Sequence, residues 1–266
     1  MAREAPLVLS ERRPPLAVLR LNRPEHGNAL SLALADALRA ALAEARRAPG
    51  VKAIILTGAG RTFSIGGDLR ERRGVEPREI IAQRTERLFP LMRELWETPQ
   101  PVIAALNGPA LAGGAGLALH CDFRIAATTA RFGLTEILTQ RIAAAGHLQI
   151  LAHMIGLAAA KELAMTGRIL DAREALRRGI YTAVVPPPAV GRAALRFARG
   201  LLANSQAALT GTKRLVNAAA DLYLPWALAV ATSDAVLFAP ETQRGIREFD
   251  AFLRRETRGG RTRRSR

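Results

Sequence analysis

The sequence predicts an α/β fold whose first half alternates strands and helices and whose second half is mostly helical. Three observations carry this. Short apolar runs of strand length recur between amphipathic stretches. Helical periodicity dominates from about Ala143 onward. Two glycine-rich turns each follow the C-terminal end of an apolar run, as in parallel sheets.

Leu16–Leu21 (LAVLRL) reads as the first strand. Ser31 then caps an amphipathic helix running to about Arg47, with Leu34, Leu38, Ala41 and Leu42 on one face. Lys52–Thr57 (KAIILT) is the second strand, and Arg78–Trp96 a helix ended by Thr98 and Pro99. Pro101–Leu106 (PVIAAL) is a buried strand, followed by a glycine-rich turn into a helix at Gly114–Cys121 and a strand at Phe123–Ala127. Helices are then expected at Ala144–Ile155, Ala158–Met165, Ala172–Arg178, Val190–Leu202, Gln206–Ala220 and Leu222–Phe238, interrupted only by Tyr181–Val185.

The bulk numbers narrow the function classes. A chain of 266 residues, 49% apolar and 23% charged, holds one large globular domain or two small ones. The single cysteine, Cys121, rules out an intrachain disulfide and fits a reducing compartment; it reads as a buried structural thiol. Met1–Arg13 has no apolar core of a secretory signal. The apolar stretch Val102–Cys121 is broken by Asn107, Pro109 and several glycines, too often for a membrane span. A cytoplasmic protein is expected.

The net charge of +16 makes nucleic acid, membrane surfaces and polyphosphate ligands electrostatically feasible. Nearly all of the basic residues are arginine, however, and part of the excess sits in the tail Arg254–Arg266. Aromatic residues make up only 5%, so a stacking platform for RNA is not expected.

The chemistry concentrates in two loops, Phe63–Leu69 (FSIGGDL) and Asn107–Gly116 (NGPALAGGAG). Each leaves the C-terminal end of a predicted parallel strand, where open α/β sheets place ligands. Paired glycines admit close backbone approach, and Gly113 and Gly114 open a helix whose free N–H groups favour negative charge. Gly58–Phe63 fails the dinucleotide fingerprint at its third glycine, and no P-loop is present.

The segments Leu21–Glu25 with Asn28–Leu30, FSIGGDL, Pro101–Ala126 (PVIAALNGPALAGGAGLALHCDFRIA) and Phe132–Glu136 (FGLTE) occur in this order and at characteristic spacings. In them the chain resembles the crotonase, or enoyl-CoA hydratase/isomerase, superfamily over nearly its whole length. The resemblance implies a crotonase-like spiral of ββα units with a C-terminal helical trimerisation region. The divisions would be a core at 1–200, a helical region at 201–256 and a basic tail at 257–266 without stable structure. It implies an acyl-CoA thioester substrate, no cofactor beyond the coenzyme A the substrate brings, and a homotrimer or dimer of trimers.

Carried over residue by residue, the resemblance makes the N–H groups of Gly67 and Gly113 an oxyanion hole and Glu136 the catalytic carboxylate. Arg23, Ser64, Ile65 and Gly66 join the two glycines as coenzyme A contacts. Hydratases of the family use a second glutamate, and its place is held here by Gly116. That departure favours double-bond isomerisation by one glutamate, with hydration, or hydration and cleavage, as the alternative. A different class, an RNA-binding or non-catalytic CoA-binding protein, is the rival reading. His147 falls near the acyl pocket by the same resemblance, although its simpler reading is a polar residue at a helix start. Asp68 reads as a loop cap and His120 as a packed core histidine.

Overall fold

The structure, a computed structural model, describes residues 5–220 and Arg244. The expected helix Leu222–Phe238, the tail at 257–266 and, Arg244 apart, the rest of the amphipathic stretch Leu222–Phe252 lie outside these residues.

β1 (Val8–Arg13) pairs antiparallel with β2 (Leu16–Leu21). α1 (Leu32–Arg47) carries the chain back so that β3 (Ala53–Gly58) lies parallel to β2. α2 (Pro77–Gln83) and α3 (Phe89–Trp96) lead to β4 (Val102–Leu106), parallel to β3. β5 (Ala110–Leu111) and α4 (Gly113–His120) lead to β6 (Phe123–Ala127), parallel to β4. The chain continues through β7 (Arg131–Gly133), α5 (His147–Ile155), α6 (Leu157–Thr166), β8 (Leu170–Asp171), α7 (Ala172–Arg177), β9 (Ala183–Val185), α8 (Val190–Leu201) and α9 (Gln206–Ala219). Two sheets result: a six-stranded one in the order β1-β2-β3-β4-β6-β9, and a small one in the order β5-β7-β8.

The predicted parallel units are present for a physical reason. Every residue of β3 and β4 is buried, as strands covered on both faces require. Ser31 Oγ accepts from the Leu34 amide at 3.0 Å, satisfying one orphan donor at the start of α1. The helix then buries Leu34, Leu38 and Leu42 against the sheet, each contributing about 1.5–3 kcal/mol by leaving water. Cys121 is buried, its thiol pushed up to about 12 by burial, as a structural thiol should be.

Several sequence expectations need correction: β5 and β7 are short strands not expected there, and β8, besides Tyr181–Val185, interrupts the helical half. β1 is an additional strand; five of its six residues are exposed, so VLSERR carries no apolar alternation to read. The helix expected over Arg78–Trp96 is present, continuous from Pro77 to Trp96, but it widens into a π-type turn at Arg84–Leu88. Pro90, with no N–H to give to the Glu86 carbonyl, accounts for the widening. The helix expected from Ala144 begins at His147, because Ala145 (φ 56°) and Gly146 (φ 83°) are left-handed. The last two corrections matter for function, since both irregular segments line the same cavity.

Candidate active site

The two glycine-rich loops meet beyond the C-terminal ends of β3 and β4. Parallel bridges Leu30↔Gly67 and Ser64↔Ala110 tie the first loop to the chain before α1 and to β5. Leu30 N–H donates to Gly66 O at 2.8 Å, and Asp68 N–H to Leu30 O at 3.1 Å. Ser64 is buried; its Oγ donates to Asn28 O at 2.8 Å and accepts from the Gly66 amide at 3.2 Å. Ile65, 43% exposed, packs beside Gly27.

Gly66, at φ +91°, sits against the second loop. A Cβ there would lie 2.8 Å from both the Gly113 nitrogen and the Ala112 Cβ, so only glycine lets the two turns close on each other. Ala112 precedes α4 at φ 47°, ψ −127°, a sparsely populated conformation for a residue with a Cβ. Its amide donates to Gly133 O at 2.8 Å, which fixes the chain just before Gly113. The Gly67 nitrogen lies 3.6 Å from where a Gly113 Cβ would stand. Among the described residues neither the Gly67 nor the Gly113 N–H has a backbone acceptor.

Both glycines open onto one cavity of about 590 Å³, its mouth included, together with Glu136 and His147. Glu136 begins a short 3₁₀ turn, Glu136–Thr139, directly after β7. Its main chain is pinned: Glu136 O accepts from Thr139 Oγ1 at 2.9 Å and from the Arg141 amide at 3.1 Å. Its carboxylate oxygen Oε2 is sealed from solvent without a hydrogen-bond partner. Burial raises the Glu136 carboxyl above the usual range, and this outweighs its own backbone hydrogen bond and the charges of Arg141, Arg84 and Arg72.

His147 fills the space beside Gly116. A Cβ on Gly116 would lie 2.1 Å from His147 Nε2 and 2.2 Å from Cε1. The imidazole therefore occupies the volume into which a side chain at 116 would project. Both ring nitrogens are buried without partners. Burial, reinforced by His120 and Arg84, drives its pKa far below the ordinary histidine value, so the ring is neutral at neutral pH. His120 contacts it edge-on, with centroids 5.4 Å apart. That ring is fully buried, held near 4 by burial, and donates from Nδ1 to Gly116 O at 2.8 Å, as a core histidine would.

The remaining predicted residues serve the loop itself. Asp68 accepts from the Arg70 amide at 3.1 Å and pairs with Arg70 and Arg23. Burial pushes its carboxyl up, but the bonds and charge of Arg70, with Arg23, outweigh that and hold it below the usual range. Arg23 is turned inward, its side chain 15% exposed, donating to Ala29 O at 2.8 Å and to Asp68 at 3.1 Å. It ties the loop and does not line the cavity. Sequence reasoning missed three arginines that do: Arg72, Arg84 and Arg141. Nothing in an arginine-rich sequence singles them out.

The fold is that of a known class. The chain belongs to the enoyl-CoA hydratase/isomerase family, whose model matches residues 11–250, and is an acyl-CoA enzyme of that family. A protein of Thermus thermophilus, provisionally named enoyl-CoA hydratase, is 38% identical over 240 residues, 88% of this chain and 94% of the relative. The short-chain-enoyl-CoA hydratase of Clostridium acetobutylicum is 33% identical, covering 84% of this chain and 85% of its own. Among solved structures, the carnitinyl-CoA hydratase of Mycobacterium avium superposes with a TM-score of 0.82 at 31% identity, over 93% of this chain and 96% of that one. The α/β crotonase fold expected from the sequence is thereby shown. Among the described residues no helix is long and apolar enough to cross a membrane.

Proposed function

We propose that the protein adds water reversibly across the 2,3-double bond of an enoyl-CoA thioester. The observation that carries this reading is the convergence of Gly67, Gly113, Glu136 and His147 on one cavity. In the reaction, the thioester oxygen takes hydrogen bonds from the Gly67 and Gly113 amides. Water sits between the Glu136 carboxylate and the neutral His147 ring. Glu136 removes one water proton as the oxygen bonds to C3, electrons shift into the thioester as an enolate, and the same proton is returned to C2. Preset amide donors favour the enolate over the ground-state carbonyl, so they act on the barrier.

The names of the similar proteins favour hydration. A second reading, favoured by Gly116, is isomerisation. Glu136 alone would take a proton from C2 of a 3-enoyl thioester and return it to C4. Incubation with 2-enoyl-CoA and 3-enoyl-CoA in heavy water separates the two. Hydration predicts a 3-hydroxyacyl product carrying deuterium at C2. Deuterium uptake with double-bond migration and no hydroxyl product would replace hydration with isomerisation, and inertness towards both would sink both.

The role given to His147 has its own test. His147→Gly is expected to slow hydration about tenfold or more by removing the second partner of the water. Gly116→Glu alone overpacks the site and costs about 1–3 kcal/mol of stability. Combined in one chain, the two changes fit the same volume and restore a polar partner, so stability and hydration should recover together. A His147→Gly single variant as fast as the wild type would remove the imidazole from the reaction.

A further inference from the structure

We propose that Arg72 and Arg141 bind a second negative charge on the substrate, a carboxylate on the acyl chain of a dicarboxylic acyl-CoA thioester. This rests on the acyl-thioester reading above and names the class of acyl group.

Among the described residues, the cavity that holds Glu136 and the two loop amides is lined by three guanidinium groups and one carboxylate. His147 adds no charge at neutral pH. Among the described residues, Arg72 and Arg141 therefore outnumber the one carboxylate, Glu136, on the wall that also carries the two loop amides. The three arginines reach it from different segments: Arg72 from the turn after the first glycine loop, Arg84 from the π-type turn, Arg141 from the residues after the 3₁₀ turn. Arg72 Nη2 comes within 2.6 Å of the point where a Cβ on Gly67 would stand, beside one of the two amides.

Nearby acids do not form ion pairs with Arg72. Asp68 pairs with Arg23 and Arg70, and Glu71 Oε2 accepts from the Leu32 amide at 2.9 Å. Arg141 donates Nε to Thr139 Oγ1 at 3.0 Å. Among the described residues no carboxylate lies within ion-pair distance of Arg72 or Arg141. Burial and mutual repulsion act together: burial, then Arg141 and Arg84, depress the Arg72 guanidinium, and burial is likewise the main effect on Arg141. Clustering desolvated like charges is unfavourable unless an anion joins them. A planar guanidinium matches a carboxylate with two parallel hydrogen bonds, so this cluster is suited to the headgroup of a second acid. The coenzyme A phosphates lie at the other end of the pantetheine arm from the thioester held by Gly67 and Gly113, which leaves the acyl chain as the source of the charge.

The test uses saturated thioesters, which cannot undergo hydration or isomerisation, so it is independent of turnover. Binding of glutaryl-CoA and adipyl-CoA is compared by calorimetry with pentanoyl-CoA and hexanoyl-CoA. The wild type is expected to bind at least one carboxylated chain about tenfold or more tightly than its neutral counterpart. In Arg72→Met and Arg141→Gln that ratio should fall towards one, whereas a purely structural role would weaken both ligands in parallel. Equal binding of charged and neutral chains by the wild type would overturn the proposal while leaving the acyl-CoA reading intact. So would an Arg141→Gln variant that weakens free coenzyme A as much as the carboxylated thioester, because the arginines would then serve the phosphates. Binding of none of the four thioesters would overturn the acyl-CoA reading, and this proposal with it.

Discussion

Replacing Glu136 with glutamine is expected to lower kcat by about 10²–10⁴-fold with little change in KM. The carboxylate is the proton carrier in either reading of the reaction, and glutamine keeps its shape while losing its basicity. Among the described residues the cavity wall holds no other carboxylate, its remaining ionisable groups being His147 and three guanidiniums. The pH profile gives a second signature. Burial raises the Glu136 carboxyl, so the base form is gained only as pH climbs above the ordinary carboxylate range. Wild-type kcat/KM should therefore rise with pH through a limb displaced upward, and that limb should vanish in the glutamine variant. A variant about as active as the wild type, with its acid limb unchanged, would take Glu136 out of the chemistry.

Gly66→Ala should be nearly as damaging, although the residue contributes no reacting group. Its Cβ would stand 2.8 Å from the Gly113 nitrogen and from the Ala112 side chain, and 3.0 Å from Leu111 O. Its φ of +91° also disfavours any residue with a Cβ. The two turns must then separate, and one amide leaves the thioester oxygen. Loss of one such donor corresponds to about 10²–10³ in kcat. Glu136 stays in place, so the expected signature is a fall in kcat in a protein that still unfolds cooperatively. Full activity in the alanine variant would mean that the close approach of the loops is not needed.

The parts of this fold legible in the sequence are those where one periodicity dominates. β3 and β4 read directly as strands because all their residues are buried, and α1 because its apolar face repeats with the helical period. β1 was invisible because a solvent-facing edge strand pairs through its backbone and leaves no side-chain pattern. Pro90 and Gly146 were readable as letters, but a wide turn before a proline and a left-handed pair before α5 depend on tertiary packing.

The candidate site divides in the same way. Gly67, Gly113 and Glu136 stand in motifs with distinctive spacing. The exchange of volume between Gly116 and His147 joins residues on two different helices and exists only once α4 and α5 pack together. The three arginines carry no motif, and only the fold brings them to one cavity.

An isotope-edited infrared difference spectrum tests the oxyanion hole most directly. The ligand is a saturated acyl-CoA labelled with carbon-13 at the thioester carbonyl. If the Gly67 and Gly113 amides both grip that oxygen, the stretch moves to lower frequency on binding to the wild type and returns most of the way in Gly66→Ala. A bound carbonyl vibrating at its solution frequency in the wild type would contradict the account.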